Sequence, residues 1–185
     1  LSLFIICSHP HCFTMGRGLQ KIKDTANVTL VEFEDRSPLP YPLYSIKRGG
    51  GLTFHYPGQI VFYPIINLTN HKKAVFDLML SILEITKKVL EDQLSFSGLV
   101  VRRDLLGLWF ENEFSKAKIA SIGLAASRFN TYHGLALNFF HDEEMFQVLR
   151  SLHPCGLPGD LYRDVELLSL GKFSLEDREK YVDEF

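Results

Sequence analysis

Cysteine is scarce in this chain: Cys7, Cys12 and Cys155 are the only three among 185 residues. An odd and sparse set does not build a disulfide framework and fits a reducing compartment, here the cytoplasm. Nor is there an excess of one charge, since 20 basic against 22 acidic side chains leave a net −2. A nucleic-acid binder would be clearly basic, so no nucleic-acid partner is expected. No apolar run approaches the roughly 18 residues of a membrane-spanning helix, so no membrane association is expected. The apolar opening Leu1–Cys7 is too short for a signal peptide and lacks its basic flank. With a start at Leu1 rather than Met, some native N-terminal residues are expected to be absent. Repeats, low-complexity tracts and long linkers are also lacking, so residues 1–185 read as a single domain. Cys7 and Cys12 bracket His9 and His11, yet no second Cys or His pair stands at zinc spacing. The segment reads as a strand end running into a loop at Pro10, with a metal site the less favoured alternative. No metal and no cofactor is expected.

What is present is the balance of an ordinary globular protein, 46% hydrophobic and 23% charged. Leu3–Cys7 and Val28–Glu34 read as strands, separated by the glycine-containing Met15–Gly18. Ser37–Pro42, with three prolines, excludes regular structure. Leu52–His55 and Gln59–Ile66 form two strands across the turn dipeptide Pro57-Gly58. Apolar residues at three- and four-residue spacing predict a helix from Asn70 to Glu91. Asn70 would cap it, and Lys87 and Lys88 would suit its negative end. Leu106–Asn112, Lys118–Ala126 and Thr131–Phe140 follow as strands, the last two joined by a hairpin around Arg128-Phe129-Asn130. Asp142–Arg150 reads as a short helix and Ser174–Glu184 as a solvated one. Consecutive strands outnumber helices, which is an α+β pattern.

Arg48-Gly49-Gly50-Gly51-Leu52-Thr53-Phe54-His55 is the most informative stretch. Glycines before a strand let backbone approach a ligand closely, and their amides beside Arg48 can hold a carbonyl, carboxylate or phosphate. The pattern is neither a Walker loop nor a dinucleotide fingerprint, since no Gly-Lys-Ser/Thr and no helix follows. As spacing alone it reads as a flexible turn rather than a site.

With Pro57-Gly58-Gln59 and Tyr63-Pro64, this stretch resembles the signature of lipoyl(octanoyl) transferases. Lys118-Ile119-Ala120-Ser121-Ile122-Gly123 resembles that family's lysine-bearing strand, and Thr131–Asn138 its next strand. Pro154-Cys155-Gly156 resembles the loop holding its nucleophile, and His9-Pro10 and Thr14–Arg17 fit its N-terminal region. Tyr56 stands where the family usually has glycine, and His153 where asparagine commonly precedes Pro-Cys-Gly.

The resemblance implies a fold shared with lipoate– and biotin–protein ligases: α+β, with a mixed, largely antiparallel sheet flanked by helices. It implies that Cys155 carries an octanoyl group as a thioester and that Lys118 is its acid/base partner. Arg48, Gly49, Gly50, Gly51, Leu52, Thr53, Phe54 and His55 would line the acyl-substrate pocket. So would Ser121, Ile122, Gly123, Gly134, Leu135 and Ala136. Tyr56 either narrows the pocket mouth, affecting chain-length preference, or points outward. The implied partners are octanoyl-acyl carrier protein, the lipoyl domains of 2-oxoacid dehydrogenase complexes and the glycine cleavage H protein.

The chemistry needs these residue types. A free thiol, of pKa near ~8.5, is mostly protonated at neutral pH. A cationic lysine favours the thiolate, and a desolvated lysine can take up a proton and release it. Thioester to amide is downhill, so the transfer requires no ATP. Apart from the resemblance, a lone cysteine reads as a small core residue, though Pro154 and Gly156 set Cys155 in a loop, and Lys118 reads as an ordinary strand-end lysine. His55 and His133 read equally as substrate contacts or structural histidines. The pairs Arg102-Arg103 and Lys72-Lys73 are solvated surface or rim contacts to an acidic carrier. Two rival functions stay open: an ATP-dependent lipoate–protein ligase, which needs no nucleophilic cysteine, and a non-catalytic acyl- or partner-binding member of the fold.

Overall fold

The computed structural model of the protein describes residues 2–17, 39–150 and 157–169. The expected strand Val28–Glu34, the expected helix Ser174–Glu184, and His153 and Cys155 lie outside them.

Strands β1 (Leu3–Cys7), β5 (Gln59–Ile65), β6 (Leu99–Arg102), β7 (Gly107–Glu111), β8 (Lys116–Ser127) and β9 (Asn130–Asn138) form a six-stranded sheet. Its order is β1-β5-β9-β8-β7-β6, and every pair in it is antiparallel. A smaller sheet, ordered β3-β2-β4, joins β2 (Cys12–Met15), β3 (Leu43–Ser45) and β4 (Leu52–His55), with β2 and β3 parallel. The architecture is therefore α+β with a mixed, largely antiparallel arrangement flanked by helices, as the resemblance implies.

The principal helix is α2 (Val75–Leu94), after the short α1 (Leu68–His71). It lays Leu78, Ile82, Leu83, Leu90 and Leu94 against the large sheet, in a core with Ile119, Leu124, Leu137 and Phe139. Leu83 and Leu90 are fully enclosed, and truncating either to alanine costs roughly 2–5 kcal/mol. The helix starts later than its periodicity predicts. Asn67, not Asn70, is the capping side chain, and it serves α1 by accepting from the Thr69 and Asn70 amides. Lys72 then turns into the left-handed region at φ 48, which interrupts the helix before Val75. At the other end α2 runs on to Leu94, so Lys87 and Lys88 lie before its last turn, and Lys87 pairs with Glu91 at 3.8 Å.

The β8–β9 reversal is tighter than the three residues expected. Ser127 pairs with Asn130, leaving Arg128 (φ 49) and Phe129 (φ 66) as a two-residue turn. Positive φ at both positions is what a type I′ hairpin requires.

A second apolar cluster lies behind the small sheet. Leu52, Phe54 and Tyr56 meet Met145, Val148 and Leu149 of α3 (Glu143–Arg150), together with Tyr162. Asp142 opens α3 by accepting from the Met145 amide at 2.8 Å. A 3-10 turn at Gly159–Leu161 and the short α4 (Val165–Leu168) complete the described chain.

Candidate active site

Between the two sheets lies a cavity of about 500 Å³, within the roughly 300–1,000 Å³ typical of small-molecule sites. The small sheet contributes Thr14, Tyr44, Thr53 and His55, and the loop before β4 contributes Arg48, Gly49 and Gly50. The large sheet contributes Val61, Tyr63, Lys118, Ser121–Gly123 and His133–Ala136. Gly123 allows the loop to reach the sheet, because a Cβ there would stand 2.7 Å from the Gly49 carbonyl oxygen.

Arg48 is 8% exposed, and its guanidinium fastens one end of the cavity. Nη2 donates to the Thr14 carbonyl at 2.8 Å, to Thr14 Oγ1 at 2.9 Å and to Thr53 Oγ1 at 2.8 Å. The Thr14 hydroxyl, receiving from Arg48, donates onward to His55 Nε2 at 3.0 Å. His55 Nδ1–H donates to Gln59 Oε1 at 2.7 Å, and the Gln59 amide to Asn138 Oδ1 at 3.0 Å. Asn138 Nδ2 ends the series on the Arg163 carbonyl at 3.3 Å. Burial lowers the His55 pKa to about 4, against the raising effect of the Gln59 bond, so the ring is neutral near pH 7. A neutral ring is the only form that can accept at Nε2 while donating at Nδ1.

Lys118 closes the other end at 5% exposure. A β-bulge aims it there. Leu108 faces Ala120 and Trp109 faces Lys118, which leaves Ile119 as an extra residue in β8. Lys118, Ser121 and Gly123 consequently share the cavity face, while Ile119 and Leu124 enter the α2 core. The Lys118 carbonyl accepts the Arg163 amide at 3.2 Å, and Lys118 bridges Tyr162. Arg163 is thus clamped through its N–H by Lys118 and through its C=O by Asn138. Cys155 falls between Arg150, where α3 ends, and Leu157. Beyond it, Gly159 rests so tightly on Leu149 that a Cβ would come within 1.6 Å of the Leu149 carbonyl oxygen. The described chain on both sides of residues 151–156 is therefore anchored, the later side directly beside Lys118. Cys7 and Cys12 are free thiols whose pKa is raised by burial, so both resist ionisation.

Of the residues expected to line the pocket, Gly51, Leu52 and Phe54 do not. Period-two alternation along β4 turns Thr53 and His55 into the cavity and sends Leu52 and Phe54 to the second cluster. Tyr56 neither gates the mouth nor points outward. It is fully buried in that cluster, and its hydroxyl has no hydrogen-bond partner among the described residues. Arg102 pairs with Asp104 and with Glu111, so its charge is engaged within its own sheet. His11 binds Asp142 at 3.1 Å, tying β2 to α3, and no metal-holding cluster occurs among the described residues.

Sequence reasoning gave no cavity role to Cys12, Tyr44, Ile46, Val61 or Leu106, and placed His9, Thr14 and Tyr63 only in matching segments. His9 Nε2 accepts from the Tyr63 hydroxyl at 2.8 Å, and the Tyr63 pKa is pushed up to about 12, chiefly by burial. His133 lines the cavity at φ 64, inside a strand, and burial followed by the Arg48 charge lowers its pKa. Alternation from Thr53 and His55 to their partners on β2 would have found Thr14, had β2 been recognised.

Residues 2–160 match the lipoyl protein ligase A/B catalytic domain. A chloroplastic octanoyltransferase of Arabidopsis thaliana is 36% identical over 154 residues, covering 83% of this chain and 49% of the relative. An octanoyltransferase of Prochlorococcus marinus is 40% identical over 154 residues, covering 82% of this chain and 56% of the relative. The chain thus spans about half the length of these curated relatives. Among solved structures, a bi-partite lipoate protein ligase from Thermoplasma acidophilum superposes with a TM-score of 0.59 at 12% identity. That match covers 98% of this chain and 68% of the other, and it is a likeness of fold. No helix among the described residues is long and apolar enough to cross a membrane.

Proposed function

The chain belongs to the lipoyl protein ligase A/B catalytic-domain family, and from that premise we propose that it is an octanoyltransferase. It takes an octanoyl group from acyl carrier protein onto Cys155 and passes it to the lysine of a lipoyl domain. The recipients in this reading are the lipoyl domains of 2-oxoacid dehydrogenase complexes and the glycine cleavage H protein, and the compartment is the cytoplasm. The observation that carries the reading is a buried lysine, Lys118, in the wall of a largely apolar cavity. The names of the curated relatives support the choice of acyl group.

In the first half-reaction Cys155 gives its proton to Lys118 and attacks the octanoyl thioester. The carrier's thiol leaves and recovers a proton from Lys118. In the second, the lipoyl-domain amine attacks the Cys155 thioester, and Lys118 removes the proton that the new amide cannot keep. The Cys155 sulfur leaves as thiolate. No phosphoryl donor enters, because a thioester is already activated. Apolar walls exclude water from the acyl-enzyme. The Arg48 end, whose hydrogen bonds fix Thr14, Thr53 and His55, binds and orients the acyl donor.

Intact-mass spectrometry of the protein mixed with octanoyl-acyl carrier protein, without ATP, tests this. One octanoyl adduct on the Cys155 peptide, discharged to a lipoyl-domain lysine, is the expected result. Modification of the lipoyl domain only from free octanoate and ATP would show a ligase instead.

A further inference from the structure

Trp109 is the chain's single tryptophan, and it is fully buried beside Lys118. Its indole N–H donates to the Leu105 carbonyl at 2.9 Å, which fixes the ring plane. Cations from two other strands gather at that ring. Lys116 Nζ stands 5.3 Å, Lys118 Nζ 5.7 Å and the Arg102 guanidinium 5.8 Å from its centroid. Arg102 carries Asp104 and Glu111 as acidic partners, and Lys116 carries Glu111 at 3.7 Å. The same bulge that turns Lys118 toward the cavity sets Trp109 directly opposite it. On β7, Gly107 leaves a lane for the lysine stem, since a Cβ there would stand 2.7 Å from Lys118 Cε.

We propose that Trp109 is a positioning residue for Lys118, its indole face holding the ammonium end of the lysine at the cavity wall. The inference rests on the reading of Lys118 as the proton-transfer group. The negative face of an indole attracts an ammonium and not a neutral amine. Contact with Trp109 therefore favours the state in which Lys118 has just taken a proton, from Cys155 in the first step or from the incoming amine in the second. That preference acts where the reaction needs it, because proton uptake by Lys118 accompanies bond formation in both steps. The ring also limits where the flexible four-carbon stem can swing.

A single tryptophan makes a clean test possible, because growth on fluorinated tryptophan alters this ring alone. Successive fluorines weaken the negative face while keeping the ring's shape and its N–H. The readout is trace acetylation of Lys118 by acetic anhydride across pH, quantified by peptide mapping against Lys87 on α2. Lys118 labelling at fixed pH is expected to rise about threefold to tenfold along the series, the range of a partly desolvated cation–π contact. Octanoyl transfer should lose kcat in step with KM unchanged, and the thermal midpoint should hold. Trp109→Phe should retain more transfer than Trp109→Leu. Lys118 labelling that ignores fluorination overturns the proposal and leaves Trp109 as packing. Labelling that tracks fluorination in a protein unable to transfer octanoyl supports the contact and rejects the transferase reading.

Discussion

At the Arg48 end of the cavity, hydrogen bonds run without a break from Arg48 through Thr14, His55, Gln59 and Asn138 to the Arg163 carbonyl. The Lys118 end is shaped by an aromatic ring, an absent side chain at Gly107 and a strand bulge. A series of directional bonds fixes each donor and acceptor around a His55 that burial keeps neutral, which suits a surface that must be ready before the substrate arrives. A ring face attracts a cation more than a neutral amine, which suits the proton-transfer role proposed for Lys118. The two ends meet at one residue, since Arg163 is held by Asn138 through its carbonyl and by Lys118 through its amide.

Breaking the Lys118 end should have the largest effect. Cys155→Ser is expected to abolish transfer, and Lys118→Ala to slow it by about 10²–10⁴, the usual worth of a positioned acid/base. Steady-state assays with octanoyl-acyl carrier protein measure both, and an unchanged melting midpoint shows that the fold persists. Breaking the other end should act on stability and loading. Arg48→Met leaves the Thr14 carbonyl and the Thr53 hydroxyl without their cationic donor, at a cost of about 2–4 kcal/mol in chemical denaturation.

A pH series sharpens the contrast. The folded-state pKa of His55, about 4, lies below its ordinary value of 6.5. The unfolded chain therefore binds the proton more readily, and stability falls as pH drops from about 6.5 to about 4. The full effect approaches roughly 3 kcal/mol. Burial shifts His9 and His133 in the same direction, while the raised carboxyl of Asp164 opposes them. The informative quantity is thus the difference between the protein and His55→Gln, whose denaturation free energy should be flatter across that window. A parallel slope would place the shift elsewhere. Smallest of all, Tyr56→Phe removes a buried hydroxyl with no described partner and should gain about 1 kcal/mol. Acyl-chain preference should not change, whereas an altered preference would return Tyr56 to the pocket.

Much of the fold was legible because β4, β5, β8 and β9 carry strand-length apolar runs bounded by turn residues. The helix α2 was legible in its spacing, but its start was not, because the left-handed turn at Lys72 has no propensity signature. The strands β2, β3 and β6 are three or four residues long and take their pairing from neighbours, so no periodicity marks them. At the site, a contiguous block from Arg48 to His55 was too generous, since alternation splits it between two faces. The Trp109–Lys118 contact was hidden more deeply. It depends on an extra residue in β8, and a bulge leaves no trace in composition.

The division between a binding end and a proton-handling end is tested most directly by separating the half-reactions. Octanoyl-loaded protein, freed of carrier, is mixed with a lipoyl domain, and the loss of the Cys155 thioester is timed. Lys118→Ala is expected to hold its acyl group about 10²–10⁴ times longer than the unaltered protein, while loaded Arg48→Met discharges at nearly the normal rate despite loading poorly. Discharge from Lys118→Ala as fast as from the unaltered protein would contradict the role given to Lys118. Equal slowing in both variants would contradict the division itself.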